Sequence, residues 1–251
     1  MEILMMVGQR LVIPLVIFFI LHRWIGKYPT PLPLSKDRKR EILETIALWV
    51  FSVVVTTMFL LSRTPEEMAA PSIELWGLMS LVASVPYIVV PVLFVLLVKK
   101  WTAKDLGFSM PSARSVTIFA IAVFAFIGII QFFISDREPI PVSNLLFSLY
   151  VTAFLEEFFF RAIIQGKLER ALGQNKAWFY SGILFGLAHV VTNSFVRGLD
   201  IGPGAFMLIG QIIVGWIFGI IYMKTRSLLP SFVAHYVTDF RLGSIIARLF
   251  L

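Results

Sequence analysis

The chain is a succession of long apolar runs separated by short polar and basic stretches. Eight runs stand out, at residues 3–21, 42–61, 75–98, 116–134, 144–164, 178–196, 205–223 and 228–249. Crossing the hydrocarbon core of a bilayer takes about 20 helical residues at a rise of 1.5 Å each. These runs meet that length and lack the apolar–polar alternation of barrel strands. Because backbone groups in lipid must be paired within their own segment, the pattern predicts an all-α bundle of about eight transmembrane helices. Pro86 and Pro91 fall inside the third run and predict a kink there, with neighbouring helices satisfying the freed carbonyls. Pro230 stands at the start of the eighth, a position that suits the first turn of a helix.

Composition agrees with lipid as the main solvent. Of 251 residues 58% are hydrophobic and 15% charged, with a mean hydropathy of +0.87. A soluble domain carries about 25% charged residues. The 24 Phe add bulk suited to lipid contact, and the absence of Cys excludes disulfides, thiolate nucleophiles and Cys-ligated metals. The first run is a poor cleavable leader: His22, Arg23 and Trp24 stand where small residues would be required, so it is read as a retained span.

The net charge of +7 raises nucleic acid as a partner, but the placement of the charges argues against it. Lys and Arg number fifteen in the first, third, fifth and seventh inter-run stretches and three in the even ones (Arg63, Arg137, Arg197). By the positive-inside rule the odd loops are cytoplasmic and both termini lie on the far side. The first loop, with Pro29, Pro31 and Pro33 ahead of a basic cluster, reads as an ordinary positive-inside loop near the headgroups. No repeat or linker divides the chain. Residues 1–115 read as an N-terminal region with three spans, and 116–251 as a core of five.

Ionisable groups in the middle of a span cost at least about 2.5–3.5 kcal/mol each and mark functional sites. The first four runs hold almost none. The later ones hold Glu156, Glu157 and Arg161 in the fifth, His189 in the sixth, and His235 and Asp239 in the eighth. Glu157 and Arg161 are four residues apart, share a helix face and can pair. Glu156 points about 100° away and needs a partner from another helix. His235 and Asp239 also share a face. Gly182 with Gly186, and Gly215 with Gly219, are small-residue pairs that read as sites of close helix packing. Counted from Gln165, Ala177 and Leu228, where these spans are expected to meet the cytoplasm, the polar groups fall in one slab about 10–18 Å deep. They are expected to converge in a pocket open to the cytosol.

In this order the motifs resemble a known family. Glu156-Glu157-Phe158-Phe159-Phe160-Arg161 matches E-E-x-x-x-R, Phe185 to His189 matches F-x-x-x-H, and His235 to Asp239 matches H-x-x-x-N/D. The set is similar to the type II CAAX prenyl endopeptidases and the wider CAAX-protease and bacteriocin-processing (Abi) family. Lys104-Asp105-Leu106-Gly107-Phe108 resembles a short segment found ahead of that family's core. The resemblance covers about 144–242; the first three spans carry no motif of it.

The resemblance implies a glutamate-dependent intramembrane endopeptidase with no cofactor. Its substrate would be the C-terminal segment of a peptide or protein, prenylated or not. Glu156 would be the general base on a water that His189 also holds. His235 and Asp239 would stabilise the oxyanion, and Glu157 and Arg161 would support the site. Asp239 departs from the Asn of many members: Asn always donates a hydrogen bond, whereas Asp donates only when protonated. An orienting role towards His235 therefore stands beside the oxyanion role. Two alternatives remain open: a zinc protease using Glu156, His189 and His235, although no H-E-x-x-H is present, and a non-catalytic immunity or peptide-binding protein. A transporter fits less well, since no pair of broken helices occupies corresponding halves.

Overall fold

Polar residues at the edges of the apolar runs decide where several helices begin. Asp37 accepts a hydrogen bond from the Arg40 backbone N–H at the start of the second helix, and Ser72 caps the third by accepting from Leu75 N–H. The computed structural model describes residues 8–64, 67–68, 72–134, 142–196, 198 and 201–239. Among them are eight helices and no strand. They are α1 (Ile13–Arg23, after a wide π-type turn Gly8–Val12), α2 (Arg38–Leu61), α3 (Ile73–Val98) and α4 (Arg114–Ile134). Then follow α5 (142–172), α6 (Gln174–Ala188), α7 (Ile201–Thr225) and α8 (Leu228–Asp239).

Three of these are long and apolar enough to span a bilayer by themselves: Arg38–Leu61, Ile73–Val98 and Gly202–Thr225. The protein is an all-helical integral membrane bundle. Helix α3 widens into π-type turns at Val85–Val89 and Phe94–Val98, around the two prolines whose missing N–H groups interrupt the regular ladder. Helix α8 holds Pro230 in its first turn. The eighth run was expected to continue to residue 249; residues 240–251 lie outside the described residues.

Helix α5 differs from expectation in its length. The sequence places its cytoplasmic end at Gln165, but the helix runs on to Leu172, where Gly173 (φ +84°) turns the chain into α6. Residues 166–169 stay buried although two of them are charged. Ion pairing is the reason: Lys167 meets Glu41 and Glu44 of α2, and Lys99 beyond α3 meets the same two carboxylates at 2.8 and 2.6 Å. Glu169 accepts both guanidinium nitrogens of Arg226, at 2.6 and 2.7 Å, and the backbone N–H of Leu32.

The basic end of the bundle is accordingly a locked plate. Lys224, 1% exposed, donates to the carbonyls of Leu21, His22, Ile25 and Gly26 and lies over the ring of Tyr28. Gly107 takes φ +77° under Tyr222, and its carbonyl accepts from the Leu228 N–H that opens α8. Asp105 of the same segment pairs with Arg170. Above the plate the core is aromatic and aliphatic, with Phe158 to Ile164 of α5 at its centre.

Candidate active site

Helix α5 enters the site through two wide stretches, Ser148–Leu155 and Phe158–Gln165, with Glu156 and Glu157 between them. Such insertions re-aim side chains and recur at functional sites. The two glutamates diverge as the helical geometry requires. Glu157 points into the bundle and is 1% exposed; Glu156 points into a cavity with its side chain 17% exposed.

Glu157 is the hub of the buried half. Both its oxygens accept from Arg161 Nε, at 3.3 and 3.2 Å, and Oε1 also accepts from Arg161 Nη2 at 3.2 Å. The guanidinium is fully buried and lies over the rings of Phe185 and Phe218, 5.0 and 5.8 Å from their centroids. The third partner of Glu157 is His235 of α8, whose Nδ1 is 3.1 Å from Oε1. A carboxylate at Nδ1 selects the tautomer with the proton there, and Phe218 stacks on the imidazole at 4.8 Å to fix its plane.

His189 follows the last turn of α6. Its Nδ1 is 2.8 Å from the Phe185 carbonyl, which requires Nδ1–H as the donor. Both histidines therefore turn Nε2 towards the same atom. Glu156 Oε2 lies 3.6 Å from His189 Nε2 and 3.9 Å from His235 Nε2. Oε2 is itself shielded and has no hydrogen-bond partner among the described residues. In their neutral tautomers the two imidazoles offer only lone pairs here, and so does an ionised Glu156. Three acceptors facing one point call for a proton-bearing species between them, and a water molecule donating to Glu156 Oε2 satisfies the arrangement.

The sequence-derived set is thus largely brought together: Glu156, His189 and His235 converge, and Glu157 with Arg161 forms the ion pair beneath them. Glu157 does more than brace its helix, because it also holds His235. The Asp239 side chain lies outside the described residues; its backbone is in α8, one turn beyond His235. No group of three His, Asp or Glu among the described residues is spaced to hold a metal ion.

The cavity in front of Glu156 has a volume of about 850 Å³, within the range of ligand sites. The walls come from 56–60 at the end of α2, 76–87 at the start of α3, 124–130 late in α4, 147–156 early in α5 and 207–218 in α7. Most of these lie in the part of their helix away from the basic plate. Towards the plate, Phe158 to Leu168 are buried in the core, and a smaller apolar cavity lies against Phe154 and Phe158, lined also by Ala103, Leu106 and Phe108. Because α5 runs on to Leu172, Glu156 lies about 24 Å from that end of the helix, deeper than its spacing from Gln165 implies. Tyr87 of α3, packed edge-on against Phe159 at 5.0 Å, and Gln211 of α7, bonded to Asn193 at 2.9 Å, line the cavity unforeseen. A polar side chain within an apolar run was their only sequence signal.

The fold and the buried carboxylate–imidazole cluster define a polytopic helical membrane protein built around a polar site. Residues 138–241, which carry that whole cluster, match the family model "Type II CAAX prenyl endopeptidase Rce1-like". This stretch is an Rce1-like domain, at family level a CAAX-type protease domain. No curated protein and no solved structure matches the chain.

Proposed function

We propose that the protein is an endopeptidase that hydrolyses a peptide bond in an apolar, CAAX-type C-terminal segment. The observation that carries the reading is the approach of two imidazole nitrogens, 3.6 and 3.9 Å away, to a shielded carboxylate oxygen at the inner end of the large cavity. A water held by Glu156 and His189 gives a proton to Glu156 as its oxygen attacks the scissile carbonyl. The tetrahedral oxyanion is stabilised by His235 in its protonated form, whose charge the Glu157 carboxylate at Nδ1 balances. Asp239 joins it if protonated, and otherwise orients His235. The carbon–nitrogen bond then breaks, Glu156 returns its proton to the leaving amine, and a new carboxylate and a free amine depart. The cavity wall is mostly apolar and accommodates the side chains of the substrate segment, with a prenyl chain as a further apolar load.

The test is cleavage by the purified full chain of CAAX-type peptides with and without a farnesyl group, followed by sequencing of the released fragment. Glu156→Gln keeps shape and polarity but removes the base. It should lower the rate at least about 100-fold, as should His189→Ala. A Glu156→Gln protein with unchanged rate would refute the reading. One observation favours a second reading. Bonds from both Nδ1–H groups to a carboxylate and a carbonyl are the outer partners that zinc-bound histidines use. Activity that persists in excess EDTA and phenanthroline supports the metal-free mechanism. Loss on chelation with recovery on adding zinc reassigns Glu156, His189 and His235 as ligands.

A further inference from the structure

The chemistry at Glu156 leaves one requirement partly unmet. Glu156 and the two imidazole Nε2 atoms present lone pairs to the water, whereas the oxyanion formed after its attack needs donors. Protonated His235 supplies one N–H. A single donor leaves the remaining lone pairs of the oxyanion bare in a cavity whose wall is mostly apolar. Among the described residues, several polar side chains of that wall are already committed. Thr56 and Thr152 direct their protons to the Ser52 and Ser148 carbonyls of their own helices, at 2.7 and 2.9 Å. Gln211 pairs with Asn193 through both amide atoms, at 2.9 and 3.4 Å. Ser148 stands eight residues before Glu156 on α5, about 12 Å along the axis.

Tyr87 of α3 is placed differently. It stands in the wide turn Val85–Val89, with Pro86 before it and Pro91 after it. Prolines within a span cost helix hydrogen bonds, and wide turns of this kind recur at functional sites. The Tyr87 ring packs edge-on against Phe159 and Phe160, with centroids 5.0 and 6.4 Å away. Those two residues follow Glu156 by three and four positions, on its own face of α5. Tyr87 is thereby held beside Glu156, and both line the cavity. Glu156 is the charged group that acts on the phenol, and Thr56 is its hydrogen-bond partner. Because the Thr56 proton goes to Ser52, the phenol is the donor in that bond.

We infer that Tyr87 is a further catalytic residue, outside the family-matched stretch, whose phenol O–H donates to the oxyanion formed at the scissile carbonyl. A phenol keeps its proton at neutral pH, so it donates without the protonation that His235 and Asp239 first require. At rest the proton points to Thr56; rotation about the carbon–oxygen bond turns it to the substrate oxygen as negative charge builds there. A bond that strengthens in the transition state raises kcat more than it aids binding. The N-terminal region then belongs to the working site: α3 carries a donor, and α2 holds it through Thr56.

The inference rests on the hydrolase reading, and its test separates the two. In the purified full chain, Tyr87→Phe keeps the ring and removes only the hydroxyl. It should lower kcat about 100-fold, the scale for losing one oxyanion donor, while KM and the thermal midpoint in detergent stay close to native. A phosphinate analogue of a cleaved peptide, whose tetrahedral oxygens imitate the oxyanion, should bind the variant more weakly by a similar factor. Thr56→Val should slow turnover less, and adding it to Tyr87→Phe should slow it no further, since Thr56 acts through the phenol. Tyr87→Phe with native kcat, or with a raised KM alone, overturns the inference; inactive Glu156→Gln beside it leaves the hydrolase reading standing. Lowered kcat with undiminished phosphinate affinity also overturns it. If Tyr87→Phe does not fold, Thr56→Val compared with Thr56→Ser carries the test. Only the valine variant should lose kcat and phosphinate affinity, and equal behaviour of the two sinks the inference. If the native chain cuts no peptide and binds no phosphinate, the hydrolase reading falls and Tyr87 falls with it.

Discussion

Glu157 has 1% of its side chain exposed and three demands on it: Arg161 for charge balance, His235 for its tautomer, and the helix for its position. Taking one partner from a buried ion pair costs about 3–5 kcal/mol, because the other charge stays behind uncompensated. Arg161→Met should therefore depress folded yield and thermal midpoint in detergent sharply. Adding Glu157→Gln removes the stranded charge and should recover most of that yield. The double variant should still turn over about 10–100-fold more slowly than the native chain, the scale seen when an outer partner of an active-site imidazole is lost. Its amide accepts from His235 Nδ1 but carries no charge to balance an imidazolium. A well-folded double variant with native turnover would reduce the pair to a structural role. The sequence made the Glu157–Arg161 contact legible through its spacing of four, yet His235 is 78 residues away and no spacing rule reaches it.

Helices α6 and α7 cross at a seam of glycines, and the position of His189 depends on that seam. A Cβ on Gly215 would stand 2.9 Å from the Gly182 Cα and 3.0 Å from its carbonyl oxygen, backbone atoms with nowhere to go. On Gly182 it would meet Trp216 Cδ1 at 2.3 Å, and on Gly186 it would meet Ile212 Cγ1 at 2.4 Å. Gly215→Ala should then push the helices apart at a cost of about 1–3 kcal/mol, read as a lowered thermal midpoint. Since His189 follows directly on α6, turnover should fall more than substrate affinity does. An unchanged midpoint would mean that the seam closes less tightly than these distances state. The small-xxx-small spacing announced this element faithfully, because packing in lipid leaves few other uses for paired glycines. Helix ends were less legible. The Gly166 to Leu172 stretch carries Lys167, Glu169 and Arg170 and reads as a loop on charge alone. Its burial depends on partners in α2 and beyond α7, which no local pattern records.

At the scale of the molecule, the eight apolar runs correspond to eight helices among the described residues, because backbone pairing in lipid leaves a chain of this composition no other choice. The direction of the cavity was illegible for a different reason: it depends on which half of each helix is packed, and that is a property of the assembled bundle. At the basic end of the bundle, Lys167 sits at the centre of the plate. Its ammonium group is fully buried, reaches Glu41 and lies 2.7 Å from Glu44, so it joins the family-matched helix α5 to a helix outside the matched residues. With Lys99 the less exposed part of the cluster sets two cations against two carboxylates, and the exposed Arg40 adds a third cation at Glu44. Lys167→Met breaks that balance in a dry environment and should lower stability by about 3–5 kcal/mol. The loss should be nearly the same in low and high salt, since buried pairs are weakly screened. Combining it with Glu44→Gln leaves Lys99 paired with Glu41 and should return at least half of the lost thermal midpoint. The site is some 11 residues of α5 away from Lys167, so the variant's remaining folded fraction should cleave substrate at the native rate per active molecule. A Lys167→Met protein with an unchanged midpoint would show that packing alone holds the plate shut. Normal stability with lost turnover would place Lys167 in the working of the site.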